Sequence, residues 1–504
     1  MTRILSIDAG TTGVTSLVLD ENGAFLGKGY REFPQHFPRP GWVEHDPNDW
    51  WTATVASAEE ALKSTGTEPR SVTAIGITNQ RETTLVWDRK TLQPVYPAIV
   101  WQDRRTASTC EALREEGWEE RVRQRTGLVI DPYFSGTKIA WILDNVPDSR
   151  DAASSGGLAF GTVDSYLMAR LTDGHVHSTD WTNASRTMLF DIHTMRWDEE
   201  IADRLGIPMD LLPSVAPSSG RFGITDPESF LGIEAPIAGI AGDQQAALFG
   251  QACFEPGATK NTYGTGSFVL MNTGTRPPAS PGRVVITLAS GERDTPGYAL
   301  EGSIFVTGAA IQWLRDGLRI IDRSDQAGPL AESVPDTGGV YFVPALTGLG
   351  APWWDPYARG TVVGITRGTT GAHLARAAVE AMAFQTRDVV DAMKETTNVP
   401  IAELRVDGGA SVMDLLLQLQ ADLLQVPVRR AAIQETTALG AGYLAGLAEG
   451  VWPDLCAIAS LWKEDRTFEP QDPGPANERY DGWRRAVERS LRWSEREKTV
   501  NSPA

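Results

Sequence analysis

Apolar runs broken by glycine turns set the pattern at the start of the chain. In "RILSIDAGTTGVTSLVLDENGAFLGKGYREF" (3–33), Ile4 to Asp8 and Val14 to Asp20 read as strands, with a third after the hairpin signal "ENG". Joined by hairpins, these strands are predicted to be antiparallel. In "PGWVEHDPNDWWTATVASAEEALKS" (40–64), Asp46 before Pro47 predicts a helix start, and Trp51, Val55, Ala58 and Leu62 fall at helical spacing. "SVTAIGITNQ" (71–80) returns to strand, so the class is α/β.

The strand–turn–strand unit recurs at "ATKNTYGTGSFVLMNTG" (258–274), where "GTGSF" resembles "GTTGV" of the first unit. A third glycine turn closes "ELRVDGGAS" (403–411) after another apolar strand. Two such hairpins far apart in the chain suggest a duplicated fold with a cleft between the halves. The boundary is expected near residue 250, giving domains 1–249 and 250–504, with a frayed C-terminal end.

A chain of 504 residues has ample core for two domains. Cys110, Cys253 and Cys456 are far apart and in no CxxC pair, which predicts reduced thiols and a cytoplasmic location rather than disulfides or zinc. The N-terminus lacks a signal-peptide layout, and no apolar stretch approaches a membrane span, so no membrane insertion is expected. A net charge of -19 disfavours nucleic acid as a partner. The six histidines form no ligand cluster, and His175 and His177 read as surface residues.

Three features carry candidate chemistry. Glycine turns after strands let a backbone approach phosphate, and "DAGTTG" adds Asp8, an acid suited to hydrated Mg²⁺. The absence of GxxxxGK[ST] excludes an ordinary P-loop. Arg81 and Glu82 follow a strand directly; they suit either a surface ion pair or, from a loop, a polyhydroxy ligand that both donates and accepts. Asp243, in "IAGDQQAALFG", stands where a strand meets a helix and is open to two readings, helix cap or catalytic base.

The segments "PGWVEHDP", "GITNQRETT", "AIVWQDRRT", "TDWTNASRTMLFDIHT", "GIAGDQQAALFGQ", "NTYGTGSF" and "TGLGAPWWDPYARG" resemble the FGGY carbohydrate kinases, in particular those acting on glycerol. "YFSGTKIAWILDN" (133–145) and the stretch from Gly364 through His373 to Glu380 fit that family's two signatures. The resemblance covers residues 4 to 450. It implies two actin-like, ribonuclease H-like domains with a ligand cleft, ATP and Mg²⁺ as cofactors, glycerol as the small-molecule substrate, and a homodimer or homotetramer. It implies a polyol pocket of Arg81, Glu82, Trp101, Tyr133, Asp243, Gln244 and Phe268, with Asp243 as general base. The nucleotide side would be Thr11, Thr12, Gly13, Thr265, Gly308, Gln312, Gly409 and Met413, and the metal would lie near Asp8 and Asp243.

Two positions depart from the family pattern. Thr15 stands where a basic residue is usual, and Met413 where asparagine is usual, with Asp414 the neighbouring polar group that could compensate. The stretch "APSSGRFGITDPESFLGIEAP" (216–236) lacks the Gly- and Lys-rich run of sugar-bisphosphate-regulated members and the histidine of another group. Alternatives left open are a kinase for a related short polyol, a catalytically weakened paralogue, and a protein-binding ATPase of the same fold.

Overall fold

A computed structural model describes residues 2–280, 282–291 and 295–494; the expected frayed end falls on 495–504, outside the described residues. The first sheet opens with β1 (Ile4–Ala9), β2 (Gly13–Leu19) and β3 (Phe25–Glu32), joined as antiparallel hairpins as the apolar pattern predicts. Helix α1 (Pro47–Thr65) follows, and then β4 (Ala74–Asn79), parallel to β1. The antiparallel edge strand β5 (Ser219–Ile224) and β6 (Pro236–Gly242), parallel to β4, complete the order β5-β6-β4-β1-β2-β3.

Helix α2 (Asp243–Gly250) leads to the second sheet. Its strands are β7 (Thr259–Tyr263), β8 (Ser267–Gly274), β9 (Val285–Ala289), β10 (Gly297–Ile304), β11 (Leu404–Asp407), β12 (Val428–Ala431) and β13 (Glu464–Phe468). The order β9-β10-β8-β7-β11-β12-β13 repeats the first sheet: antiparallel hairpins, two parallel strands, an antiparallel edge. Topology thus establishes the duplication that the two glycine turns suggested. The longer helices of this half are α3 (Gly308–Asp316), α4 (Gly371–Thr396) and α5 (Asp414–Leu424); α6 (Thr436–Ala448) and α7 (Pro473–Ser490) follow.

Helix α1 starts as expected. The Asp46 carboxylate accepts from Asn48 N–H at 2.9 Å, and Pro47 occupies the first helical position. Its buried face is shifted from the predicted stripe: Trp50, Ala53, Ala58, Ala61 and Leu62 are buried, whereas Trp51 and Val55 are half-buried. Close backbone contact turns the helix this way, since a methyl on Gly29 of β3 would sit 2.0 Å from Ser57 O. Trp50 Nε1 donates to His45 Nδ1 at 3.2 Å, and burial lowers the His45 pKa to about 4.

His177 departs from its surface reading. Its ring is half-buried edge-on to Trp87, Nε2 lies 2.7 Å from Phe160 O, and burial lowers its pKa to about 4. His175, two residues away in the Gly174 turn, is exposed as expected. Cys110 and Cys253 are buried free thiols, and Cys456 is exposed.

Helix α6 belongs by sequence to the second half but packs on the first sheet. Ala438, Leu439, Tyr443 and Leu444 share a core with Ile4, Leu17, Ala74, Ala238 and Phe249. The approach is backbone to backbone: a methyl would lie 2.2 Å from Ala441 O if placed on Gly76, and 1.9 Å from Ala246 O if placed on Gly440. The small residues of "TTALGAGYLAGLA" are what allow this helix to bind the halves together. We expect Gly440→Ala to lower stability by ~1–3 kcal/mol despite the better helix propensity of alanine. The urea midpoint is the measurement; an unchanged or higher midpoint would show that α2 and α6 can part to admit a methyl.

Candidate active site

The apolar strand β6 ends at Gly242, and the chain turns into α2 with Asp243 as the first helical residue. Gly242 is the N-cap, and no side chain caps this helix. Asp243 is therefore not the cap; its Oδ1 accepts from the adjacent Gln244 N–H at 2.7 Å and lies 3.1 Å from Arg81 Nε. Glycine is required before it, because a methyl on Gly242 would stand 2.6 Å from Arg81 Cγ and Cδ.

Arg81 and Glu82 leave β4 in a loop, as a ligand-facing role requires. Glu82 has φ +60, a left-handed conformation uncommon for a residue with a Cβ. Its carbonyl is held by Ser135 Oγ at 3.0 Å and Lys138 Nζ at 3.1 Å. The surface ion pair is excluded: both residues are buried, 2% and 1% exposed, and Arg81 Nε is 3.9 Å from Glu82 Oε1.

Their principal partners are two residues that the sequence reading missed. Glu301, on β10 of the second sheet, accepts from Arg81 Nη1 at 2.5 Å and Nη2 at 3.0 Å. Arg186 donates from Nε to Glu82 Oε1 at 2.6 Å and from Nη2 to Glu301 Oε1 at 2.9 Å. Burial opposes the charge on Glu301, but Arg186 and Arg81 prevail and hold its carboxyl down at about 2. For Glu82 burial prevails over Arg186 and Arg81 and raises the pKa. This set of two arginines and two glutamates joins the two halves of the chain at the site. A signal existed in the sequence: Glu301 is a charge inside the otherwise uncharged strand "GYALEGSI".

Against this set lies a cavity of about 210 Å³ lined by Thr11, Thr12, Arg81, Glu82, Trp101, Tyr133, Asp243, Gln244, Thr262, Thr265, Phe268 and two glycines. It thus brings together all seven polyol residues expected from sequence. Trp101 meets Tyr133 and Phe268 edge-on at 5.7 and 6.1 Å between ring centres, forming an apolar wall. Trp101 Nε1 also donates to Thr11 Oγ1 at 3.0 Å, tying that wall to the first glycine turn.

A second cavity, about 610 Å³, shares Gly264 and Thr265 with the first. Gly308, Gln312, Gly409 and Met413 line it, together with Ser324, Asp325, Gly328 and Glu332, which the sequence reading did not name. Close passage of the chain demands glycine here: Gly408 has φ +86, and a methyl on Gly308 would lie 2.5 Å from Gly264 O. Gly13 lines neither cavity. It begins β2, its carbonyl accepts from Gly10 N–H at 3.0 Å, and a methyl there would meet Arg31 O at 2.7 Å.

Asp8, at the end of β1, is likewise in neither lining. Burial and the neighbouring Asp243 raise its pKa to about 7. Two carboxylates close enough to act on each other fit a divalent cation that takes one or two protein oxygens beside phosphate and water. Among the described residues, no cluster of three ligands exists. Thr15 is opposite Asp8 across β1 and β2, and the positive charge acting on Asp8 comes from Lys28 of β3. Asp414 lines the same cavity as Met413, and its carboxylate is paired with Arg430 at 2.9 Å and with Arg466.

A duplicated α/β fold, a small cavity with a carboxylate on its wall, and a larger glycine-lined cavity that shares wall residues with it define a two-substrate cleft. Models of the FGGY family of carbohydrate kinases match this chain, the N-terminal domain over residues 3–250 and the C-terminal domain over 259–449. The chain belongs to that family. Among its relatives, "Glycerol kinase 2" of Thermotoga maritima is 56% identical over 98% of this chain and 100% of its own. "Glycerol kinase" of Symbiobacterium thermophilum is 56% identical over 97% and 99%. The crystal structure of Plasmodium falciparum glycerol kinase with ADP matches with a TM-score of 0.89 at 35% identity, over 97% of this chain and 98% of that one. A xylulose kinase from Lactobacillus acidophilus, 23% identical with a TM-score of 0.85 over 97% of each chain, shares the fold.

Proposed function

We propose that this protein is a glycerol kinase, which transfers the γ-phosphoryl group of ATP to a terminal hydroxyl of glycerol and makes sn-glycerol 3-phosphate. The observation that carries the reading is the junction of the two cavities at Gly264 and Thr265, with Asp243 on the wall of the smaller one. The smaller cavity offers acceptors in Glu82 and Asp243, donors in Arg81 and Gln244, and aromatic walls for carbon. A three-carbon triol matches that set, and the larger cavity suits a nucleotide.

Asp243 takes the proton of the attacking hydroxyl, a role worth roughly 10²- to 10⁴-fold in rate. Arg81 Nε at 3.1 Å holds the carboxylate in place. Thr265, on the wall of both cavities, and Thr11 and Thr12, on the smaller one, offer hydroxyls to the phosphates, and Trp101, Tyr133 and Phe268 keep out water, the competing phosphoryl acceptor. Asp8, with Asp243 near it, would hold a Mg²⁺, which when bound would supply neutralising charge for the phosphates.

A panel of polyols with ATP and Mg²⁺, read by coupled ADP detection, tests the reading; glycerol-independent turnover, or a preference for a longer polyol, refutes it. Met413 lines the nucleotide cavity with no hydrogen-bond donor on its side chain. Met413→Asn is expected to lower the KM for ATP about fivefold, the equivalent of one hydrogen bond. An unchanged KM would show that the Met413 side chain does not limit ATP binding.

A further inference from the structure

Lys260, on β7, is fully buried, lines neither cavity, and has no role in the chemistry above. A buried ammonium is costly unless its protons are used. Burial lowers its pKa to about 8, opposed by Asp407 and Asp243. Its Nζ stands 2.5 Å from Gln244 Oε1 and 3.0 Å from Thr262 Oγ1. An ammonium donates and never accepts, so the Gln244 atom it touches is the carbonyl oxygen. Turning the amide over would set NH₂ against NH₃⁺. Among the described residues no acceptor stands against Gln244 Nε2, and Gln244 lines the small cavity.

We propose that Lys260 is a specificity-setting positioning residue: by holding Gln244 Oε1 it presents Gln244 to the substrate as a hydrogen-bond donor only. The inference rests on the glycerol kinase reading. It divides the pocket by polarity, with Gln244 donating and Glu82 and Asp243 accepting. Thr262, which receives the second lysine proton, keeps the ammonium in place. A substrate without the hydroxyl opposite Gln244 leaves a buried N–H unpaired, the strongest form of rejection available to such a site.

The test compares kcat/KM for glycerol, 1,2-propanediol and 1,3-propanediol in the wild type, Lys260→Met, Gln244→Leu and the double variant. The wild type is expected to favour glycerol on the order of 10⁴-fold. Lys260→Met should reduce discrimination against one diol by about tenfold or more, and Gln244→Leu against the same diol, with less than about threefold added in the double variant. Losses equal for both diols, or additive in the double variant, overturn the proposal, since a lysine supporting only the fold would act in that way. Gln244→Glu keeps the test open if Lys260→Met does not fold. Its carboxylate pairs with Lys260 and turns an acceptor toward the cavity, so glycerol kcat/KM should fall about 100-fold. A wild-type glycerol kcat/KM in Gln244→Glu overturns the proposal. A wild type that turns over ATP without preferring glycerol refutes the kinase reading itself, and the inference with it.

Discussion

Asp243→Asn should abolish most turnover, lowering kcat by about 10²- to 10⁴-fold while glycerol KM changes little. The amide keeps the size of the carboxylate and a hydrogen-bonding oxygen, so Arg81 retains a partner. What it loses is the capacity to accept a proton. Because Arg81 keeps its two bonds to Glu301 and Asp243 is not the helix cap, the substitution should cost little stability, and the kinetic loss then reports chemistry. Steady-state kinetics with ATP and Mg²⁺, alongside a thermal melt, distinguish the outcomes. A rate near wild type would remove Asp243 as the base and send the search to another acid near the cavity.

The second large effect belongs to Glu301. Glu301→Gln takes one carboxylate from a buried set in which Arg81 and Arg186 both depend on it. Removing one partner of a buried ion pair strands the other charge, which costs about 3–5 kcal/mol. Because Glu301 comes from the second sheet and both arginines from the first half of the chain, the loss also loosens the junction at the pocket. We expect a lower urea midpoint together with a glycerol KM raised about tenfold or more, since the Arg81 guanidinium no longer has a fixed orientation. An unaltered midpoint would mean that Glu82 and Asp243 alone balance the two arginines.

These effects differ in how far the chain alone announces them. Asp243 stands at a junction that periodicity makes visible, an apolar strand followed by an alanine-rich turn of helix. The hairpins of both halves, the Asp46–Pro47 helix start and the glycine turns were legible for the same reason: they depend on neighbours only a few residues away. The Arg81–Glu82 pair was visible as a motif. Its burial was not, because a charged pair after a strand reads equally well as solvent-exposed until its partners are known.

The partners come from far along the chain. Arg81 meets Glu301 across 220 residues and Glu82 meets Arg186 across 104. No local period encodes such meetings. The same holds for α6, whose small residues give no sign of their role until β4, β6 and α2 are seen to lie against them, and for Asp414, whose carboxylate meets Arg430 and Arg466. By itself the sequence determined the α/β class, the repeated hairpin unit, the family and seven of the residues that line the smaller cavity. Only the tertiary structure decided which charges are buried together, which way an amide must face, and which half of the fold α6 completes. Elements form from short-range propensity and periodicity, whereas charge pairing and close backbone packing depend on where distant segments come to rest.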